Sequence, residues 1–159
     1  MKNKIFSLVT ILSLILFSCT SLYKNERSIA NIDQVSDFEL YSKFGSGNIE
    51  TTKIYLLEDK RCQTFNETYK SGTKKAIEVE SNLTQCQLLQ EAYQSVAQNG
   101  SCENKKNILS DKTNSGNTQT RTIRLNNQCH CIQEDFFYRS GTTETIRTLV
   151  ALENCQFSK

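Results

Sequence analysis

Seven cysteines are spread over this chain of 159 residues, and their placement constrains the fold more than any other feature. Cys19 follows an apolar N-terminal run, and Cys62, Cys86, Cys102, Cys129, Cys131 and Cys155 lie in a polar remainder. Lys2 and Lys4 precede residues 5–17, an apolar stretch broken only by Ser7, Thr10 and Ser13. A membrane-spanning helix needs about 20 apolar residues. The shorter run therefore reads as an export segment, to be set aside before the fold is considered. Export places the remainder in an oxidising compartment, where an even set of cysteines reads as a disulfide framework.

Leu16-Phe17-Ser18-Cys19, with leucine three positions before the cut, a small residue before it and cysteine after it, resembles the lipobox of bacterial lipoproteins. The resemblance implies that residues 1–18 are a signal peptide and that the Cys19 thiol is alkylated with diacylglycerol. The new amino terminus would be acylated too. A thiol suits this role because it becomes a nucleophilic thiolate more readily than a hydroxyl is activated. Stable anchoring requires two or more acyl chains. The class also implies an envelope location, with Thr20 after the cysteine directing the protein to the outer membrane in preference to the inner. Residues 19–32 then form the lipidated cysteine and a flexible tether with an r.m.s. span of about 20 Å. Residues 33–159 form a single globular domain.

Setting the signal aside changes the charge balance. The whole chain has 19 basic and 17 acidic residues; the signal carries Lys2 and Lys4 and no acid, leaving 17 of each. A neutral domain offers no electrostatic footprint for nucleic acid. The mean hydropathy of −0.50 and the absence of tryptophan point to a modest core that covalent staples would support.

The expected fold is α+β: a mainly antiparallel sheet with one principal helix over about 82–98, stapled by disulfides. Asn82 caps that helix with Gln85 as its reciprocal partner. Cys86, Leu89, Ala92, Tyr93 and Val96 line one face, and Asn99-Gly100 ends it. Residues 49–57 and 61–69 read as strands joined through 58–60, residues 76–80 as a short strand, and the alternation around Arg121, Ile123 and Leu125 as another. Residues 31–44 fit helix or strand, and the helical spacing of Val35, Phe38 and Tyr41 favours helix. Residues 101–117 read as a long polar loop. Ser140-Gly141-Thr142 marks a hairpin between residues 128–139 and 143–152. A three-residue loop there would set Phe136 opposite Ile146, Ile132 opposite Val150 and Asp135 opposite Arg147, with apolar pairs on one side and an ion pair on the other.

With Cys19 assigned to lipid, that register places Cys155 diagonally across from Cys129, so the expected pairing is Cys129–Cys155, Cys86–Cys131 and Cys62–Cys102. Cys129-His130-Cys131 also invites a metal reading, since thiolates and imidazole suit zinc or copper. The spacing is not the paired C-x-x-C of common zinc sites, and the oxidising compartment favours disulfides. His130 is the only histidine, and the sequence has no nucleophile motif. Glu134 and Asp135 are neighbours on a strand and face opposite sides. No Gly-rich phosphate loop or calcium loop is present. No catalytic residue, metal ligand or cofactor is therefore assigned.

Arg121, Arg124, Arg139 and Arg147 could share a binding surface with Tyr138, but they are read first as solvated strand residues that discourage edge aggregation. The leading functional expectation is a non-enzymatic, lipid-anchored envelope protein. It would be partnered with the membrane through Cys19, with a domain that binds a protein partner or plays a structural role. The alternatives are a secreted or periplasmic inhibitor or interaction domain, and an envelope enzyme or metal-binding protein using Cys129-His130-Cys131.

Overall fold

The computed structural model of the protein describes residues 33–157; the apolar run, Cys19 and the expected tether lie outside the described residues. The elements run β1 (Gln34–Gly45), β2 (Asn48–Leu57), β3 (Cys62–Lys70), β4 (Thr73–Val79), α1 (Leu83–Asn99), β5 (Lys105–Asn114), β6 (Asn117–Leu125), β7 (Cys131–Arg139), β8 (Thr142–Leu149) and a 3-10 turn at Leu152–Cys155. The strands form one sheet in the order β4-β3-β2-β1-β8-β7-β6-β5, antiparallel at every step. The expected architecture, an antiparallel sheet with one helix and disulfides, is the one observed. Its topology is two four-stranded meanders, β1–β4 and β5–β8. They meet at β1 and β8, and the helix connects their outermost strands.

Four Ser-Gly pairs build the meanders. Ser46-Gly47, Ser71-Gly72, Ser115-Gly116 and Ser140-Gly141 all have positive φ at both residues, the backbone of a two-residue turn that matches the twist of its flanking strands. This chemistry overturns the three-residue register expected for the last hairpin. Arg139 pairs with Thr142, Phe136 with Thr145 and Ile132 with Leu149. Arg147 consequently meets Glu134, not Asp135.

Two further expectations are corrected. Residues 105–114 are a strand, not part of a loop: β5 pairs with β6 along its length, yet all ten of its residues are exposed. A strand with no buried side leaves no alternation to read. Residues 34–45 are a strand, not a helix. The pairing of β1 with β2 slips between Gln34 and Ser36 and again between Glu39 and Tyr41. Each bulge inserts a residue and breaks the two-residue period, and the resulting spacing of Val35, Phe38 and Tyr41 imitates a helical face.

Helix α1 begins where Asn82 Oδ1 accepts the Gln85 amide at 3.1 Å and ends where the Gly100 amide donates to the Val96 carbonyl at 2.9 Å. Cys86, Leu89 and Ala92 are buried as expected, whereas Tyr93 is 43% exposed. The helix packs over the centre of the sheet, where Leu89 and Cys86 join Phe38, Ile54, Leu56, Ile132 and Leu149 in the core. The Gln85 side chain does not return to its cap. It accepts the Leu149 amide at 2.7 Å and donates to the Leu149 carbonyl at 3.0 Å, standing where a neighbouring strand would pair with β8.

The six described cysteines form three disulfides, as expected in number but not in pairing: Cys62–Cys86, Cys102–Cys129 and Cys131–Cys155. The expected partners assumed that Cys129 and Cys131 share one side of a strand. Cys129 instead precedes β7 and has φ 57°, so the chain turns between the two sulfurs. Cys129 meets Cys102 after the helix, and Cys131 meets Cys155 in the 3-10 turn. Cys62, at the start of β3, reaches the first turns of α1.

Candidate functional site

The β1–β8 junction is short. Only Tyr41–Phe44 pair with Thr143–Ile146, four pairs against seven to ten at every other neighbouring strand pair. Toward Gln34 on β1 and Leu149 on β8 the ladder stops, and the strands form a fork. A cavity of about 320 Å³ opens there. One wall carries Asp37 and Glu39 of β1 and Lys53 of β2; the other carries Arg124 of β6, Asn126 and Gln128 of the following loop, and Arg147 of β8. Phe38, His130 and Ile132 also line it, and all three are buried.

Arg147 bridges the fork. Its Nη1 donates to Glu39 Oε1 at 2.5 Å and to Ser42 Oγ at 3.3 Å, and its Nε donates to Glu134 Oε2 at 2.8 Å. Arg124 lies 3.7 Å from the same Glu134 oxygen. Arg121 belongs to the other side of the sheet, where it makes a two-bond pair with Asp135 at 2.6 and 3.1 Å. The four arginines singled out in the sequence therefore do not share one surface. Arg124 and Arg147 gather on Glu134, Arg121 on Asp135, and Arg139 with Tyr138 sits exposed near the hairpin turn. The adjacent carboxylates of β7 face opposite sides, as alternation requires.

The Cys129-His130-Cys131 segment is a structural knot. Both sulfurs are in disulfides, so neither is a thiolate available as a ligand. His130 is 2% exposed, with its ring edge-on to Phe38 of β1 at 5.4 Å between centroids. The loop is pinned by Asn126, whose Oδ1 accepts the amides of His130 at 2.8 Å and Gln128 at 3.1 Å. Asn126 Nδ2, held by that arrangement, lies 3.3 Å from His130 Nδ1. Because Nδ2 is a donor, Nδ1 is the acceptor, and the neutral ring carries its proton on Nε2. Burial pushes the imidazole down to about 4; nearby Asp37 opposes the shift and Arg124 adds to it.

A larger and more apolar groove of about 410 Å³ lies between Val35, Leu56 and Leu57 on the sheet and Gln90 and Tyr93 on the helix. The fork cleft, although smaller, brings together the ionic and amide groups that give orientation and specificity to a site. Among the described residues, no cluster of three or more histidine, cysteine or acidic side chains is placed to hold a metal ion. Comparison with family models, with curated proteins and with solved structures finds no match to this chain.

Sequence reasoning named Arg124, His130 and Arg147 but missed Asp37, Glu39, Lys53 and Asn126. The first three of these lie on β1 and β2, and their position depends on which strand neighbours β8. Asn126 carried a local signal, an Asx residue two positions before an amide it could accept, of the kind that makes an Asx turn.

Proposed function

We propose that this chain is a lipid-anchored bacterial envelope protein, held in the outer membrane through Cys19, whose domain acts by binding and not by catalysis. The observation that carries the reading is the Leu16-Phe17-Ser18-Cys19 box behind its apolar run. The disulfide-stapled domain is consistent with an oxidising location, and the fork cleft supplies a polar recognition surface bordered by the core residues Phe38 and Ile132. The ligand expected there is a partner protein presenting both charge signs, since Lys53, Arg124 and Arg147 stand among Asp37 and Glu39.

Metabolic labelling with palmitate tests the anchor. Label should enter the wild-type protein and be lost in Cys19→Ala, and the variant should move from the detergent to the aqueous phase. Unlabelled wild-type protein, or unchanged partitioning of the variant, would replace the anchored reading with that of a released periplasmic or secreted interaction domain.

A further inference from the structure

We propose that the β1–β8 junction is a built-in hinge with an acid-sensitive catch at His130: protonation of the ring parts the two meanders along the fork while each keeps its own disulfides. Two observations converge on this division. The junction has the fewest strand pairs in the sheet. Among the described residues, no disulfide joins β1–β4 directly to β5–β8. Cys62–Cys86 fastens the helix to the first meander, whereas Cys102–Cys129 and Cys131–Cys155 lie within the segment after the helix. The polar contacts that cross are Arg147 on Glu39 and Ser42, Tyr41 on Glu144 and the Gln85 amide on Leu149. The apolar ones are the Phe38–His130 ring contact and the shared core, where Ile132 and Leu149 pack with Phe38, Ile54, Leu56 and Leu89, so opening the fork also parts that packing.

His130 is the catch because of its hydrogen-bond geometry. A second ring proton would go to Nδ1, which faces the Asn126 amide nitrogen at 3.3 Å. That nitrogen is itself a donor. The amide cannot turn over to offer its oxygen without abandoning the backbone amides of His130 and Gln128. Protonation therefore exchanges a hydrogen bond for a donor–donor clash in a buried site. The charged groups around the ring do not relieve it. Asp37 and Glu39 of β1 favour the cation, Lys53 of β2, Arg124 of β6 and Arg147 of β8 oppose it, and Glu39 is already held by Arg147. Opening the fork hydrates the imidazolium and frees it from Phe38. The predicted motion is a sub-global opening in which the helix stays with β1–β4 and residues 102–157 leave as one stapled unit.

Hydrogen exchange followed by mass spectrometry on the full-length chain at pH 7 and pH 4.5, corrected for intrinsic exchange chemistry, tests this. The shift from the ordinary imidazole value allows opening to increase by roughly fifty- to hundredfold at pH 4.5. The increase should appear at Tyr41–Phe44, Thr143–Ile146 and Leu149, and not at the β2–β3 pairs around Ile54 and Thr64. His130→Phe should abolish the acid-induced increase. Should that variant fold poorly, Tyr41→Cys with Ile146→Cys, which cross-links directly opposed residues, should suppress the increase with His130 intact. An equal rise at β2–β3, an undiminished rise in His130→Phe, or an undiminished rise in the cross-linked protein would each overturn the hinge.

Discussion

In the first meander, β1–β4, side-chain burial carries the weight. Phe38, Ile54 and Leu56 enter the shared core, and Tyr55, on the other side of the sheet, lies edge-on to Phe65 with centroids 5.8 Å apart. In the second, β5–β8, Ile132 and Leu149 are the strand residues that reach that core, and β5 is exposed along its whole length. Order there comes from two disulfides and from arginine–carboxylate pairs on both sides of β7. The two halves have the same strand number and similar turns but different sources of stability. The difference shows how a polar sequence completes a sheet: where apolar area is short, loop closure by covalent bonds substitutes for it.

The largest expected effect tests that substitution directly. Removing both bridges of the second half, by Cys102→Ala with Cys129→Ala and Cys131→Ala with Cys155→Ala, should cost about 4–8 kcal/mol if each contributes its typical 2–4. Removing Cys62–Cys86 should cost about 2–4. Guanidinium denaturation reads both, and equal losses would break the comparison. Next comes Leu89→Ala, which empties the centre of the core under the helix and should cost about 3 kcal/mol; hydrogen exchange should show the first meander loosened most.

A comparable effect is expected from acid. Below the ordinary imidazole value of 6.5 the unfolded chain takes up a proton at His130, and the folded chain does not until about pH 4. Stability is therefore full above about pH 7 and falls as the pH drops through that window, by a total of about 3 kcal/mol. Urea midpoints between pH 7 and 4 measure the slope, which should flatten in His130→Phe. The smallest effect has the opposite sign. The Thr122 hydroxyl on β6 is buried without a hydrogen-bond partner among the described residues, so Thr122→Val should leave stability unchanged or raise it by about 1 kcal/mol. A loss on thermal melting would show that the hydroxyl is satisfied.

What could be read in the sequence was whatever a short segment decides alone. The helix was legible because Asn82, Leu89 and Gly100 carry its cap, face and end within one stretch, and β2 and β3 because their β-branched and aromatic runs flank a polar turn. The three-residue register failed on Ser140-Gly141: the apolar residues of β7 and β8 argued for one offset, and two positive-φ residues imposed another. β1 was hidden by its own bulges and β5 by having no buried side. The cleft was half visible. Its arginines and histidine announced themselves as unusual residues, whereas Asp37, Glu39 and Lys53 became members only because β1 lies beside β8, more than a hundred residues away in the chain. Long-range pairing of this kind also defeated the disulfide assignment, since a single turn at Cys129 reroutes two bridges.

The fork also sets how the domain responds to load. β1 enters the sheet at Gln34, on the open side of the junction, and the ladder to β8 begins only at Tyr41. Tension applied between the residues preceding Gln34, as from the anchor proposed at Cys19, and the residues following Leu149 would reach the β1–β8 pairs one after another, because β1 starts and β8 ends on that open side. That geometry is unzipping, mechanically the weaker way to load a sheet, whereas a shearing pull would strain all four pairs together.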